Sequence, residues 1–166
     1  SGIGDPTLEW CPPGHGDVYT VLQSSGLLDQ LLAQGYEYLN ISNADNLGAY
    51  PSAEIAQWFE NSGAPFVAET VQRTPADRKG GHVVVRDGQL ILRETAQTHV
   101  DDEDAAADIS RHKYFNANTL WIRLSALKAL LEEHNGVLPL PLIQNRKTVN
   151  PSDPDSEKVV QLEFAM

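Results

Sequence analysis

The stretch Tyr36–Gly48, YEYLNISNADNLG, constrains this chain more than any other. Tyr36, Tyr38, Leu39 and Ile41 give its first half the composition of a sheet strand, and Gly35 and Gly48 bound the run with turn signals. Directly behind the strand stand Asn43, Asp45 and Asn46. Ligands of open α/β sheets gather at the carboxyl ends of strands. A carboxylate there can hold a hard cation such as Mg²⁺ beside a phosphate, and Asn amides can read a base or a sugar. The same residues also suit a plain turn, in which Asn and Asp bond their own backbone.

The rest of the chain supplies elements to pack around that strand. Asp17 is placed to cap a short helix with Val18, Val21 and Leu22 on one face. Gly26 interrupts it, and Leu27, Leu28, Leu31 and Leu32 form a second apolar stripe that ends at Gly35. Ser52 caps a helix carrying Ile55, Ala56, Trp58 and Phe59, closed by Asn61-Ser62-Gly63. Pro65–Gln72 reads as a strand. His82–Arg86 and Gln89–Arg93 flank Asp87-Gly88, a strong hairpin signal. Residues 97–112, with DDED at 101–104, read as a solvated connection. Asn118–Ile122 is strand-like, and Ser125 caps a helix with Leu127, Leu130 and Leu131 inward. Residues 144–157 are polar enough to predict a loop, and Val159–Phe164 reads as a last strand. Helices alternating with strands, with a hairpin inserted, predict one α/β domain over residues 1–166, built on a mixed sheet.

Charge narrows the partners. The formal net charge is -11, from 23 acids against 12 Lys and Arg. Nucleic acid requires a basic face and anionic membranes attract basic segments, so neither is an expected partner. A polyanionic ligand would need a metal or a local concentration of cations. The single cysteine, Cys11, leaves no internal disulfide to form and suits a reducing cytoplasm. No run approaches the ~18 apolar residues of a membrane-spanning helix. The first residue is Ser1, which leads us to expect a processed chain or a piece of a longer one.

A second stretch carries chemistry: Glu9–Asp17, EWCPPGHGD. Two prolines fix its path, Gly14 and Gly16 leave the backbone bare around His15, and the free N–H groups of the helix that follows point back at it. Such a loop lets a base or phosphate approach the backbone closely, though it could equally be a tight turn with a surface histidine. EWCPPGHGD followed by NADNLGA resembles the UTP–glucose-1-phosphate uridylyltransferases (UDP-glucose pyrophosphorylases). Further matches follow in the same order: Lys79-Gly80-Gly81, then Leu92-Arg93-Glu94-Thr95-Ala96-Gln97, then Phe115-Asn116-Ala117-Asn118-Thr119-Leu120-Trp121, and last Val159-Val160-Gln161-Leu162-Glu163. The resemblance runs from about Glu9 to Met166.

It implies a Rossmann-like, glycosyltransferase-A-like nucleotidyltransferase sheet, Mg²⁺-dependent when complete, and in-line attack of the glucose 1-phosphate phosphate on the α-phosphorus of UTP. UDP-glucose and pyrophosphate would be the products. Such reactions rest on positioning and charge neutralisation. Gly14 would meet the uracil through its backbone, and Asn43 would read the same base by its amide. His15 would lie against the sugar phosphate, and Asp45 would hold the Mg²⁺. Gly81 and Glu94 would bond glucose hydroxyls, together with one of Asn116 and Asn118, of which Asn116 is preferred. The family's glycine-rich phosphate loop with its lysine lies upstream of Glu9, and a second phosphate-facing lysine lies downstream of Met166. The resemblance therefore implies the uracil and sugar half of a site truncated at both ends, inactive by itself and with a strand edge on which copies could self-associate. A UDP-N-acetylhexosamine pyrophosphorylase and a non-catalytic nucleotide-sugar binding fragment are the rival readings.

Overall fold

The computed structural model describes residues 11–77 and 80–166. Glu9 and Trp10 of the first motif and Lys79 of the third lie outside them. The architecture turns on β5 (Tyr114–Arg123), which pairs antiparallel with β1 (Tyr38–Ile41) on one side and β2 (Phe66–Gln72) on the other. The α/β class holds, and the ladders that form within the described residues are antiparallel.

Period-two alternation sends the side chains of β5 to opposite faces of this sheet. Leu120 and Ile122 are buried against three helices, α1 (Asp17–Ser24), α2 (Leu27–Ala33) and α5 (Leu124–Glu133), which contribute Tyr19, Leu22, Leu28, Leu127 and Leu131. Trp121 faces the other way and meets Phe59 of α3 (Ala53–Ser62), ring centroids 6.5 Å apart. Phe59 also stands edge-on to Tyr38 at 5.4 Å, and the Arg123 guanidinium lies over the Tyr38 ring while donating to its hydroxyl at 3.1 Å. A planar cation on an aromatic face suits an arginine that must reach inward from a sheet end.

Several local expectations hold and others need correction. Ser52 Oγ accepts from the Ile55 amide and Gly63 ends α3 at φ 66°, as the sequence suggests. Trp58 of that helix is 59 % exposed, so Phe59 alone supplies its buried contact. Asp17 does not cap α1: Gly16 holds the N-cap position and Asp17 begins the first turn, where its charge still favours the helix dipole. The buried face of α1 uses Tyr19 and Leu22, and Val21 points outward. Ser125 does not cap α5; Arg123 occupies that place without a side-chain bond, and Leu124 takes the inward position expected of the exposed Leu130.

Two antiparallel ribbons flank the sheet. The Asp87-Gly88 hairpin forms as expected, joining β3 (His82–Arg86) to β4 (Gln89–Arg93), with φ of 52° and 78° at the two turn residues. The second ribbon corrects the sequence reading. Residues 144–148, expected to open a loop, belong to β6 (Leu142–Thr148), which pairs with β7 (Lys158–Phe164). The expected connection at 97–112 contains short 3₁₀ turns and α4 (Glu103–Ala106). Among the described residues, no helix is long and apolar enough to cross a membrane.

Candidate functional site

Backbone bonds bring the two ends of the described chain together. Phe164 N donates to Pro13 O at 3.0 Å and Gly16 N to Phe164 O at 3.3 Å, so β7 runs along the loop that carries His15. The glycines of that loop are required by this close approach. A Cβ on Gly14 would fall 2.6 Å from Glu163 Cβ, and one on Gly16 would fall 2.2 Å from Ala165 O. Gly14 also sits at φ +94°, which L side chains rarely adopt. The bareness read from the sequence as room for a ligand thus serves chain packing as well.

Across the loop, His15 Nε2 lies 2.9 Å from Asn43 Oδ1. This contact joins the two motifs singled out in the sequence. The Asn/Asp loop divides its labour to allow it. Asn46 does the turn work, accepting from the Gly48 amide at 3.1 Å through its side chain, and Asn46 N donates to Asn43 O. The Asn43 side chain is free to meet His15. Asp45 stands exposed just past the carboxyl end of β1.

The sugar-side candidates converge from three separate strands. Gly81 precedes β3, and a Cβ there would be 2.7 Å from Glu94 Oε2, so the glycine lets the carboxylate lie against the backbone. Glu94 follows β4, and its amide donates to Gln97 Oε1 at 2.9 Å. Asn116 N donates to Gly81 O at 2.8 Å, stitching β5 to the same turn. Asn118 adopts φ +53° inside β5, opposite a register shift between Ala68 and Thr70 of β2. At this bulge Asn116 Nδ2 donates to Asn118 Oδ1 at 2.6 Å, and Asn118 N donates to Asn116 Oδ1 at 3.1 Å. The two amides form one unit, with Asn116 nearer the Gly81 turn.

Electrostatics tie these groups to the His15 loop. Burial raises the Glu94 carboxyl above its usual range, and the negative charge of Glu163 adds to the rise; His15 and the Asn116 amide pull the other way. Glu163 is a residue to which the sequence reading gave no role. It is half-buried on β7, pinned by the Asn145 amide of β6, against Gly14 and within reach of Glu94's charge. Among the described residues, no three His, Cys, Asp or Glu side chains gather as a metal cage. Mg²⁺ is usually held by one or two carboxylates with substrate phosphates and water. The lone, accessible oxygen donor of Asp45 fits that style of binding.

The family model of UTP–glucose-1-phosphate uridylyltransferase matches residues 3–166. The chain belongs to the UTP–glucose-1-phosphate uridylyltransferase family. A Saccharomyces cerevisiae UTP–glucose-1-phosphate uridylyltransferase is 42 % identical over 160 residues, covering 96 % of this chain and 32 % of that protein. A probable Schizosaccharomyces pombe uridylyltransferase is 40 % identical over 157 residues, with 95 % and 30 % covered. The fold agrees. A Trypanosoma brucei UDP-glucose phosphorylase superposes with a TM-score of 0.91 at 49 % identity, covering all of this chain and 37 % of that one. A Leishmania major UDP-glucose pyrophosphorylase variant solved with UDP-glucose gives 0.85 at 44 %, again covering all of this chain and 37 % of that one. The chain spans about a third of the length of the uridylyltransferases it matches.

Proposed function

We propose that these residues form the uracil- and sugar-facing part of a site that transfers UMP from UTP to glucose 1-phosphate, giving UDP-glucose and pyrophosphate. One observation carries the reading. Family motifs scattered from Gly14 to Glu163 meet in space, with His15 on Asn43 and Glu94 set among Gly81, Asn116, His15 and Glu163.

In this reading the Gly14 backbone and the Asn43 amide hold the uracil edge, and the His15 contact fixes which way the amide points. His15 also faces the sugar phosphate in this reading, with the ring edge that Asn43 leaves open. Glu94 accepts from glucose hydroxyls, a charge-assisted bond stronger than a neutral one. Gly81 lends backbone to the same hydroxyls, and Asn116, held by Asn118, supplies a further amide. Asp45 would hold Mg²⁺, which when bound neutralises charge on the phosphates. Transfer then depends on alignment and charge balance, with no covalent work asked of the protein. The lone Cys11 suits a reducing compartment, and we place the activity in the cytoplasm.

Calorimetry on the 166-residue chain tests the base assignment. UDP-glucose should bind at least about tenfold more tightly than ADP-glucose, because the wrong base leaves buried groups unpaired. Asn43→Ala should erase most of that gap. Equal affinities in the unaltered chain would refute the reading.

A further inference from the structure

Gly81 and Glu94, two of the residues proposed to face the sugar, are each the chain neighbour of one member of a pair, buried His82 and half-buried Arg93. His82 and Arg93 stand opposite each other at the open end of the β3–β4 hairpin. His82 is 2 % exposed. Arg93 reaches its Nε2 from Nε at 3.2 Å and from a terminal guanidinium nitrogen at 2.8 Å. A ring nitrogen that accepts from guanidinium carries no proton, so the imidazole is neutral with its hydrogen on Nδ1. The His112 ring lies against it, centroids 4.0 Å apart.

The surroundings oppose a charge on His82. Arg73, 6 % exposed, donates to Gly80 O at 2.8 Å and Ala106 O at 3.2 Å, and its Nε has no partner among the described residues. Arg111 adjoins His112, and the charge of Asp108, whose carboxylate accepts from Ser110 and the Arg111 amide, also reaches that ring. Glu103 and Asp104 share with His82 the lining of a 290 Å³ cavity. Burial, and then the charges of His112, Arg93 and Arg73, push His82 down to about 4. Burial and then Arg93, Arg111 and Arg73 lower His112, while Asp108 pulls it up.

We propose that His82 and Arg93 are positioning residues for the sugar side of the site: the neutral imidazole fixes the guanidinium, and the pair locks the hairpin root that sets Glu94 against Gly81. The inference rests on the function proposed above. The tolerance at this root is small. Glu94 Oε2, Cδ and Oε1 all lie within 2.7–2.9 Å of where a Gly81 Cβ would stand, and Gly81 O is already committed to Asn116 N. Protonating His82 removes the acceptor and places a second cation against Arg93, so the two strands must part where Glu94 is hung. Sugar contacts should loosen while the uracil contacts on the His15 and Asn43 loops stay.

The experiment measures KM for glucose 1-phosphate and for UTP across pH in the gene product that carries this chain. Variants are His82→Leu, His82→Gln and Arg93→Lys. His82→Leu and Arg93→Lys should raise KM for glucose 1-phosphate by about tenfold or more and leave KM for UTP within about twofold, a split that general destabilisation does not produce. His82→Gln keeps an acceptor for Arg93 and cannot titrate. It should stay within about threefold of wild type at neutral pH and lack the extra rise in sugar KM that wild type shows below about pH 5. Comparing the two proteins at each pH cancels the titration of the substrates. If His82→Leu does not fold, Arg93→Lys and the acid limb of His82→Gln decide. Equal changes in both KM values, no change in either, or the same acid limb in wild type and His82→Gln would overturn the positioning role. Wild type that neither turns over UTP with glucose 1-phosphate nor binds UDP-glucose would refute the proposed function, and this inference with it; wild-type turnover with unaffected variants refutes the inference alone.

Discussion

Glu163 Cβ lies 2.6 Å from where a Cβ on Gly14 would have to stand. The first and last motifs of the chain are therefore fitted to each other, and neither can change alone. Gly14→Ala must also hold a side chain at φ +94°. Strain of this kind costs on the order of 1–3 kcal/mol. We expect urea denaturation of the variant to show a loss in that range, together with weaker UDP-glucose binding as the His15 loop lifts from β7. A stability unchanged to within about 0.5 kcal/mol would place Gly14 among ordinary surface positions.

Asp45 is exposed, so, on the proposed function, Asp45→Asn should leave the fold intact while the gene product that carries this chain loses most of its turnover. Thermal unfolding and turnover at saturating Mg²⁺ separate the two. Turnover within about threefold of wild type, roughly 0.7 kcal/mol of barrier, would show that Asp45 does not hold the metal.

Glu94 trades stability for binding. Burial and Glu163 raise its carboxyl above the usual 4.5. The folded chain thus holds that proton more tightly than the unfolded one, and stability falls as pH rises from about 4.5 through the raised value. Glu94→Gln, which has no charge to bury, should unfold at higher urea than wild type at pH 7. The difference should close as pH drops below about 4.5, where both side chains are neutral. Sugar affinity should be lost at every pH. A variant less stable than wild type at neutral pH would contradict the cost assigned to this carboxylate.

Among the described residues, β1 is paired on one side only, with β5. Exposed strand edges template pairing with other chains. The net charge of -11 opposes association, but it is screened beyond ~8 Å at physiological salt. Light scattering on the 166-residue chain should show self-association at roughly tens of micromolar, the range in which exposed edges begin to matter. A monodisperse monomer at that concentration would mean that the free edge of β1 is covered.

What the sequence disclosed depended on whether the signal was local. Asp87-Gly88 announces its hairpin because the turn needs positive φ at both positions and these residues tolerate it. Ser52 and Gly63 mark α3 for similar reasons. β6 escaped notice because it belongs to a two-stranded ribbon in which Gln144, Arg146 and Lys147 need not be apolar. The first half of β5 hid behind Asn116 and Asn118, polar residues that read as a strand start and sit inside one. Glu163 had no local sign at all: its meaning lies in Gly14 and Glu94, which only the fold brings near. Family resemblance set Asn43 on the base and His15 on the sugar phosphate, and only the fold shows the two side chains in contact.

The left-handed turn of Asn118 divides β5 into two trades. From Thr119 to Ile122 the strand is buried and keeps the sheet and helices together; from Tyr114 to Ala117 it is more open and carries the amide that faces Gly81 and Glu94. A single strand thus works as both a beam and a lever, with its fulcrum at one asparagine. Drift in the apolar half is answerable to packing, and drift in the other half to the ligand. On the proposed function, substitutions along those four residues would shift sugar preference without touching the timber that holds the roof.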